Sequence, residues 1–459
     1  MTRVLWFRRD LRLGDHPALA EASAAGDVLG VFVADDALLK PSGAPRRAFL
    51  ARTLEALDDT MGGRLLIVHG RPESVIPRLV RSVEAEAVHV SEDFGPYGRR
   101  RDGLVQEALE KAGCDWHATG SAYAISPGRV RKPDGTPYAV FTPFHRAWSE
   151  HGWRAPAKSG TGVHWIDPES VDLGGGKRWA ASDLAVAVDD GLTVPDAGEK
   201  AALAAWKDFR EAAVADYDTE RDRPDHPGTS HMSVHLKWGA IHPRTLLADL
   251  SRHRSAGAAS YRRELGFRDF YADILFHKPE SLTKSVDPAV DRMRWDTGKG
   301  AEEHLEAWKA GRTGFPYIDA GMRQLLAEGW MHNRVRMGVA SFLIKDLHIP
   351  WQLGARHFME HLIDGDAASN THGWQWVAGS GAQAAPFYRI FNPVGQGEKH
   401  DPTGEYVRQY VPELREVKGK AVHRPWDLPD GLPSGYPDRI VEHDVERKHA
   451  LSDWEQRPR

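Results

Sequence analysis

Between Trp330 and Asn392 the chain concentrates side chains that could do chemistry. The centre of that stretch reads Asp364-Gly365-Asp366-Ala-Ala-Ser-Asn370-Thr-His372-Gly373-Trp374-Gln375-Trp376. Asp366, Asn370 and Trp374 stand four apart, so a helix would align them down one face. Carboxylates, an amide and indoles together make a poor packing face, and a surface helix seldom exposes two tryptophans two residues apart. The pattern predicts a helix lining a pocket for a large, flat, polar-edged aromatic group, a description that a flavin meets. Upstream, Trp330-Met-His-Asn333-Arg334-Val-Arg336-Met337 puts Asn333 and Met337 one turn apart beside Arg334. Arginine suits a phosphate backbone, while amide and apolar groups hold a base.

A basic segment accompanies them. Between residues 219 and 268 there are nine Lys/Arg against five Asp/Glu, in a chain whose formal net charge is −5. That overall charge argues against indiscriminate nucleic-acid binding and leaves room for a local basic face. A length of 459 residues predicts two or more domains. A hydrophobic content of 41% and a charged content of 27% are those of an ordinary soluble globular protein. The single cysteine, Cys114, excludes a disulfide framework and a cysteine-built zinc site, and fits a reducing cytoplasm. No run reaches membrane-spanning length, and the opening residues lack a signal peptide's apolar segment. A soluble cytoplasmic protein, monomeric and without membrane contact, is expected.

The elements that must position these residues fall into two halves. Short apolar runs at 3–7, 28–33, 65–69, 87–91 and 114–118 alternate with helical patterns at 17–24, 46–60, 75–82 and 101–112, the signature of a doubly wound parallel α/β sheet. Arg8, Arg9, Asp10, Asp35, Asp36, Glu92 and Asp93 fall at strand carboxyl ends, where such sheets bind ligands. No Gly-x-Gly-x-x-Gly follows the first strand, which argues against a dinucleotide bound in the usual Rossmann manner. This domain is expected over residues 1–130. A connector at 131–198 is rich in turn signals, including Lys132-Pro-Asp-Gly-Thr, Gly174-Gly-Gly and Asp189-Asp-Gly, and its segment 141–148 is expected to be packed. An all-α domain follows over 199–459, with helices predicted at 199–217, 262–276, 302–309, 318–328, 334–345 and 351–362.

Three patterns carry less than they suggest. Gly379-Ser-Gly381-Ala-Gln-Ala384 matches a dinucleotide fingerprint as a string but follows a predicted helix, not a strand. The pairs His231/His235 and His357/His361 stand four apart, without a metalloprotease glutamate directly after the first histidine and without an obvious third ligand. Ser233 has no nucleophile-elbow sequence around it.

Taken together, Trp330-Met-His-Asn-Arg-Val-Arg-Met, Ala340-Ser-Phe-Leu-Ile-Lys-Asp, Asp364 to Trp376, Phe391-Asn-Pro with Gln396-Gly-Glu-Lys, and Thr313-Gly-Phe-Pro-Tyr-Ile-Asp-Ala resemble the photolyase/cryptochrome flavoproteins. The likeness is greatest to the class I cyclobutane pyrimidine dimer photolyases and extends from the opening Trp-Phe-Arg-Arg-Asp-Leu-Arg to Tyr436-Pro-Asp-Arg-Ile-Val-Glu-His. The resemblance implies FAD held by Tyr217, Thr229, Ser230, His231, Met232, Ser233, Tyr261, Arg268, Arg336, Asp364, Gly365, Asp366 and Asn370. Arg336 would pair with Asp364, and Asn370 would sit against the flavin ring nitrogen. It implies light-driven electron transfer to a dimer flipped out of DNA, with Glu264 stabilising the dimer radical anion and Trp374, Trp351 and Trp295 re-reducing the flavin. Glu264, Phe267, Asn333, Arg334, Met337 and Trp376 would hold the dimer, and Arg221 and Gln396 the DNA. Two departures stand out: Phe267 occupies a position that is usually tryptophan, and His231 one that is usually arginine.

A cryptochrome-like blue-light photoreceptor, and a photolyase of altered lesion specificity, are the alternatives. A six-four photolyase would want a histidine pair where Met331-His332-Asn333 stands, and a plain flavin oxidoreductase leaves the basic segment and the tryptophan line unexplained. The segment Ser91-Glu-Asp-Phe-Gly-Pro-Tyr97-Gly-Arg-Arg-Arg101 resembles members that carry a deazaflavin antenna, so an 8-hydroxy-5-deazaflavin is expected in the α/β crevice in preference to a reduced folate.

Overall fold

The computed structural model describes residues 1–187, 191–382 and 388–458. Asp189 of the expected turn and Ala384 of the fingerprint string lie outside the described residues. The N-terminal body is a six-stranded sheet ordered β5-β4-β1-β2-β3-β6. Its strands are β1 Thr2–Phe7, β2 Asp27–Ala34, β3 Leu65–His69, β4 Ala85–Glu92, β5 Asp115–Ser121 and β6 Lys177–Arg178. The first five pair in parallel, and β6 pairs antiparallel to β3. Helices α1 Pro17–Ala25, α2 Asp36–Leu39, α3 Ala44–Thr60, α4 Pro72–Ser82 and α5 Pro96–Glu110 cover both faces.

The two-residue period of β1 divides the core. Leu5 and Phe7 pack with Leu19 of α1 and Leu54 of α3, while Val4 and Trp6 pack with Val75 and Leu79 of α4 and Val105 of α5. Burial on both faces is why these strands read as continuous Val/Leu/Ile runs. The strand order reverses at β1, so the sheet has a switch point between β1 and β4.

The stretch between the two halves contributes to both. Helix α6 Phe141–His151 buries Phe141, Phe144 and Trp148 in a core with Trp206, Tyr261 and Phe270 of the helical body. Further on, β6 returns to the edge of the sheet, where Trp179 N–H donates to Ile67 O at 3.0 Å.

The helical body comprises α7 Gly198–Ala212, α8 Tyr217–Glu220, α9 Met232–Trp238, α10 Pro243–Leu250, α11 Ala256–His277, α12 Pro288–Asp291, α13 Lys299–Lys309, α14 Pro316–Glu328, α15 Asn333–Lys345, α16 Trp351–His361, α17 Ala367–Ala378, α18 Pro393–His400, α19 Glu405–Tyr410 and α20 His443–Glu455. Several ends follow local rules. The Ser255 hydroxyl caps α11 by accepting Ala258 N–H at 3.1 Å, and Gly379 ends α17 at φ 80. Among the described residues no helix is long and apolar enough to cross a membrane.

Candidate functional site

Asp366 is the N-cap of α17, accepting Ser369 N–H at 3.0 Å. Asn370 therefore stands one turn into the helix and Trp374 two turns in, as the spacing requires. Asp366 and Asn370 line a cavity of about 780 Å³ where the two bodies meet. From the sheet side it is bounded by Arg9, Asp35 and Asp93, residues following β1, β2 and β4. Trp351 of α16 and Lys237 and Trp238 of α9 complete the opposite wall.

Two ion pairs fix the acidic edge. Arg336 holds Asp364 through two contacts, at 2.9 and 3.2 Å, as its sequence context implied. Arg9 reaches across from the sheet to Asp366 at 2.6 Å. Burial alone would raise the Asp366 carboxyl, but Arg9, Lys237 and Arg268 outweigh it and hold the group well below the usual carboxylate range. Burial, with the adjacent Arg9, pulls the Lys237 ammonium down to about 7. A Cβ at Gly365 would meet Arg46 Nη1 of α3 at 2.3 Å, so a larger residue there would displace the end of that side chain.

Asn370 Nδ2 donates to Ala355 O at 3.0 Å, leaving its oxygen as the remaining acceptor. Trp351 donates from Nε1 to Ser285 Oγ at 3.0 Å. Trp374 is only 3% exposed and meets Phe358 at 5.0 Å and Trp308 at 6.1 Å, both edge-on. Trp295 packs, partly buried, against the same core. Trp308 was not singled out from the sequence, where nothing local sets it apart from the other tryptophans.

On the side of α9 and α11, Ser230 Oγ and Tyr261 Oη are hydrogen-bonded at 2.7 Å, and Tyr217 packs on Tyr261 with ring centres 5.0 Å apart. Thr229 and Met232 flank Ser230, Met232 buried and Thr229 half-buried. His231 occupies the left-handed region at φ 51 and stacks on Trp330 at 3.8 Å; the Trp330 indole N–H donates to Ser233 Oγ at 3.4 Å. Arg268 donates to Ala122 O at 2.7 Å and Leu236 O at 3.2 Å.

Of the residues expected to meet DNA, Arg221 and Glu264 form one contact pair and Arg334 and Met337 another, while Phe267, Trp376 and Gln396 stand apart from them. Arg221 pairs with Glu264 at 2.6 Å, and its neighbour Asp222 pairs with Arg334. Arg334 in turn lies 3.8 Å from the Met337 sulfur, and Asn333 is exposed at the start of α15. Phe267 stacks face to face on Phe141 of α6, with ring centres 3.4 Å apart and planes within 8°. One face of Phe267 is therefore already covered. Trp376 borders a separate cavity of about 260 Å³ with Lys345 and Phe391, and Gln396 is half-buried on α18.

The donors around the large cavity suit an acceptor-rich aromatic group such as FAD. Trp238 and Arg9 line the cavity, and Trp238 Nε1 and Arg9 Nε are buried without an acceptor among the described residues. Of the residues expected to hold FAD, Gly365, Asp366 and Asn370 line this cavity, whereas Tyr217, Tyr261 and the 229–233 segment are not among its lining residues. The His231/His235 pair gathers no third ligand among the described residues, whereas His357 and His361 do have Glu360 within reach.

A parallel α/β sheet joined to a helical bundle, with an arginine- and aspartate-lined cavity at their junction, is an arrangement that can house a cofactor between two bodies. Residues 3–160 match the family described as DNA photolyase, and residues 261–456 the FAD binding domain of DNA photolyase. The chain belongs to the DNA photolyase family. It is 36% identical to the deoxyribodipyrimidine photo-lyase of Alkalihalophilus pseudofirmus, covering 98% of this chain and 97% of that one. It is similar to the crystal structure of a bacterial class III photolyase from Agrobacterium tumefaciens, with a TM-score of 0.91 and 35% identity over 99% of this chain and 97% of the other. A further likeness, at a TM-score of 0.85 and 29% identity over 99% of this chain and all of the other (100%), is to an archaeal photolyase from Sulfolobus tokodaii with two FAD molecules.

Proposed function

We propose that this protein repairs cyclobutane pyrimidine dimers in DNA by light-driven electron transfer, acting as a monomer. The observation that carries the reading is one cavity bounded by Asp366 and Asn370, with Trp351 in its wall and Trp374 packed behind it. FAD bound there in its fully reduced form supplies the light-absorbing electron donor.

The chain's own residues divide the remaining work. Arg336–Asp364 and Arg9–Asp366 fix the charges at the cavity edge, so that a flavin enters a field already set. Asn370 offers an amide oxygen to a ring N–H without adding charge. Ser230 and the 229–233 segment hold the diphosphate. Trp374, Trp351 and Trp295 deliver electrons inward, which indole suits as the most easily oxidised aromatic side chain. Arg221 and Gln396 hold the DNA backbone, while Asn333, Arg334, Met337, Phe267 and Trp376 receive the flipped dimer. Flipping costs a few kcal/mol and least at a damaged pair. Glu264 stabilises the charge placed on the dimer by hydrogen bond or proton.

An antenna chromophore occupies the sheet side of the same cavity, beside Asp35, Tyr97 and Arg101, and is an 8-hydroxy-5-deazaflavin. The solvent-facing crevice at the strand ends supports a flat second ring system, and the neighbour with two FAD molecules is consistent with one.

The test is to bind the photoreduced protein to a thymine-dimer oligonucleotide and illuminate it. Recovery of intact thymines is expected. Photoreduction of the flavin without recovery would refute repair and favour a photoreceptor.

A further inference from the structure

The α/β body contains a group of side chains that the flavin and DNA chemistry leaves unused. His89 of β4 and His117 of β5 are register partners in the parallel sheet, so both rings project from the same face, the one covered by α1. The rings lie 4.7 Å apart with planes 16° from parallel. Above them Glu21 of α1 accepts His117 Nδ1–H at 2.9 Å. The other oxygen of Glu21 accepts the Thr119 hydroxyl of β5, which orients the carboxylate. One ligand atom from each of Glu21, His89 and His117 falls within 4.8 Å of the other two.

His89 is the anomaly. It is 2% exposed, yet neither ring nitrogen has a partner among the described residues. A buried polar group left unpaired is destabilising, and such groups in native proteins ordinarily have a partner. Burial, with His117 and Arg3 adding to it, lowers His89 to about 4, so its imidazole is neutral and keeps a free lone pair at neutral pH. Arg3, the nearest cation, is itself held by Glu86 at 2.9 Å.

We propose that Glu21, His89 and His117 bind one divalent transition-metal ion, zinc being the ion that two imidazoles and a carboxylate suit best. The metal replaces the hydrogen bond between His117 Nδ1–H and Glu21: the ring keeps that proton, and the freed Glu21 oxygen goes to the ion. His117, with 41% of its side chain exposed, turns about χ2 to bring its lone pair onto the ion. Three protein ligands leave a fourth position for water. Thr119 acts as the outer partner that holds the carboxylate. The ion closes α1 onto β4 and the edge strand β5.

Zinc chloride titrated calorimetrically into chelator-stripped, FAD-loaded protein tests the assignment. The expected result is saturable uptake that His117→Ala and Glu21→Gln each weaken about tenfold or more, with a zinc-dependent rise in melting temperature that is larger in the unsubstituted protein than in either variant. His117 lies at the sheet edge, so its alanine variant folds where His89→Ala fails to. That variant keeps the His357–Glu360–His361 and His348–Glu446–His449 groups, and zinc taken up there is subtracted. Flavin photoreduction is expected to be the same with and without zinc. Equal zinc affinity and equal thermal response in His117→Ala and the unsubstituted protein would overturn the proposal.

Discussion

Arg9→Met isolates the tie between the two bodies. The guanidinium of Arg9 lies 2.6 Å from Asp366, with 25% and 13% of the two side chains exposed. At that distance two unit charges in an effective dielectric near 20 attract by about 6 kcal/mol. Desolvating both groups offsets much of that, and removing one partner of a buried pair destabilises by about 3–5 kcal/mol. Since Arg9 keeps some solvent contact and Lys237 and Arg268 still face Asp366, the low end, about 3 kcal/mol, is expected. For a body of this size that lowers the melting point by about 6 °C. The sign with pH follows from the depressed carboxyl of Asp366. Its contribution is fully present above the ordinary carboxylate value near 3.9 and is lost as pH falls toward the folded value. The gap between the unsubstituted protein and Arg9→Met should therefore be full at neutral pH and narrow below about pH 4. Melting curves read by flavin release, for Arg9→Met, Asp366→Asn and the double variant, give the coupling directly. Additivity within about 0.5 kcal/mol would refute the reasoning.

Two further outcomes concern the electron path and the dimer wall. Trp374→Phe should keep fold and flavin, because an aromatic ring remains against Phe358 and Trp308, and should lose photoreduction under blue light; full retention would contradict the path. Phe267→Trp should still stack on Phe141 and should tighten binding of a thymine-dimer oligonucleotide about fivefold by adding stacking area, measured by fluorescence polarisation; an unchanged Kd would remove Phe267 from the wall.

Much of the architecture is written locally. Four of the five parallel strands are apolar runs bounded by turns, β5 at the edge being largely polar, and in the flavin-binding half the period marks helices such as α14, α15 and α16 but not short ones such as α8, α12 and α19. The Asp366–Asn370–Trp374 line is legible because one helix makes it. Strand β6 is not, since Lys177-Arg178 has no alternation and owes its place to β3 and Trp179. Nor are the contacts that complete the site: Arg9 on Asp366, Phe141 under Phe267, and Trp308 against Trp374 join residues far apart in sequence, where no periodicity reports a neighbour. His231 reads as a simple departure from arginine, and only the fold shows that it has a stacking partner in Trp330.

The packing of α6 decides where this chain can be cut. Asp269 of α11 accepts both the Trp148 indole N–H, at 2.9 Å, and Ile125 N–H, at 3.0 Å, and Asp273 accepts Gly128 N–H at 2.7 Å. Two acids of one helix thus moor the stretch from 125 to 148. A fragment begun at residue 199 would leave Asp269 without either donor and open the sockets of Phe144 and Trp148, at about 1.5–3 kcal/mol for each side chain lost. A helical half expressed alone is therefore expected to be more stable when it begins before Ile125 than when it begins at residue 199.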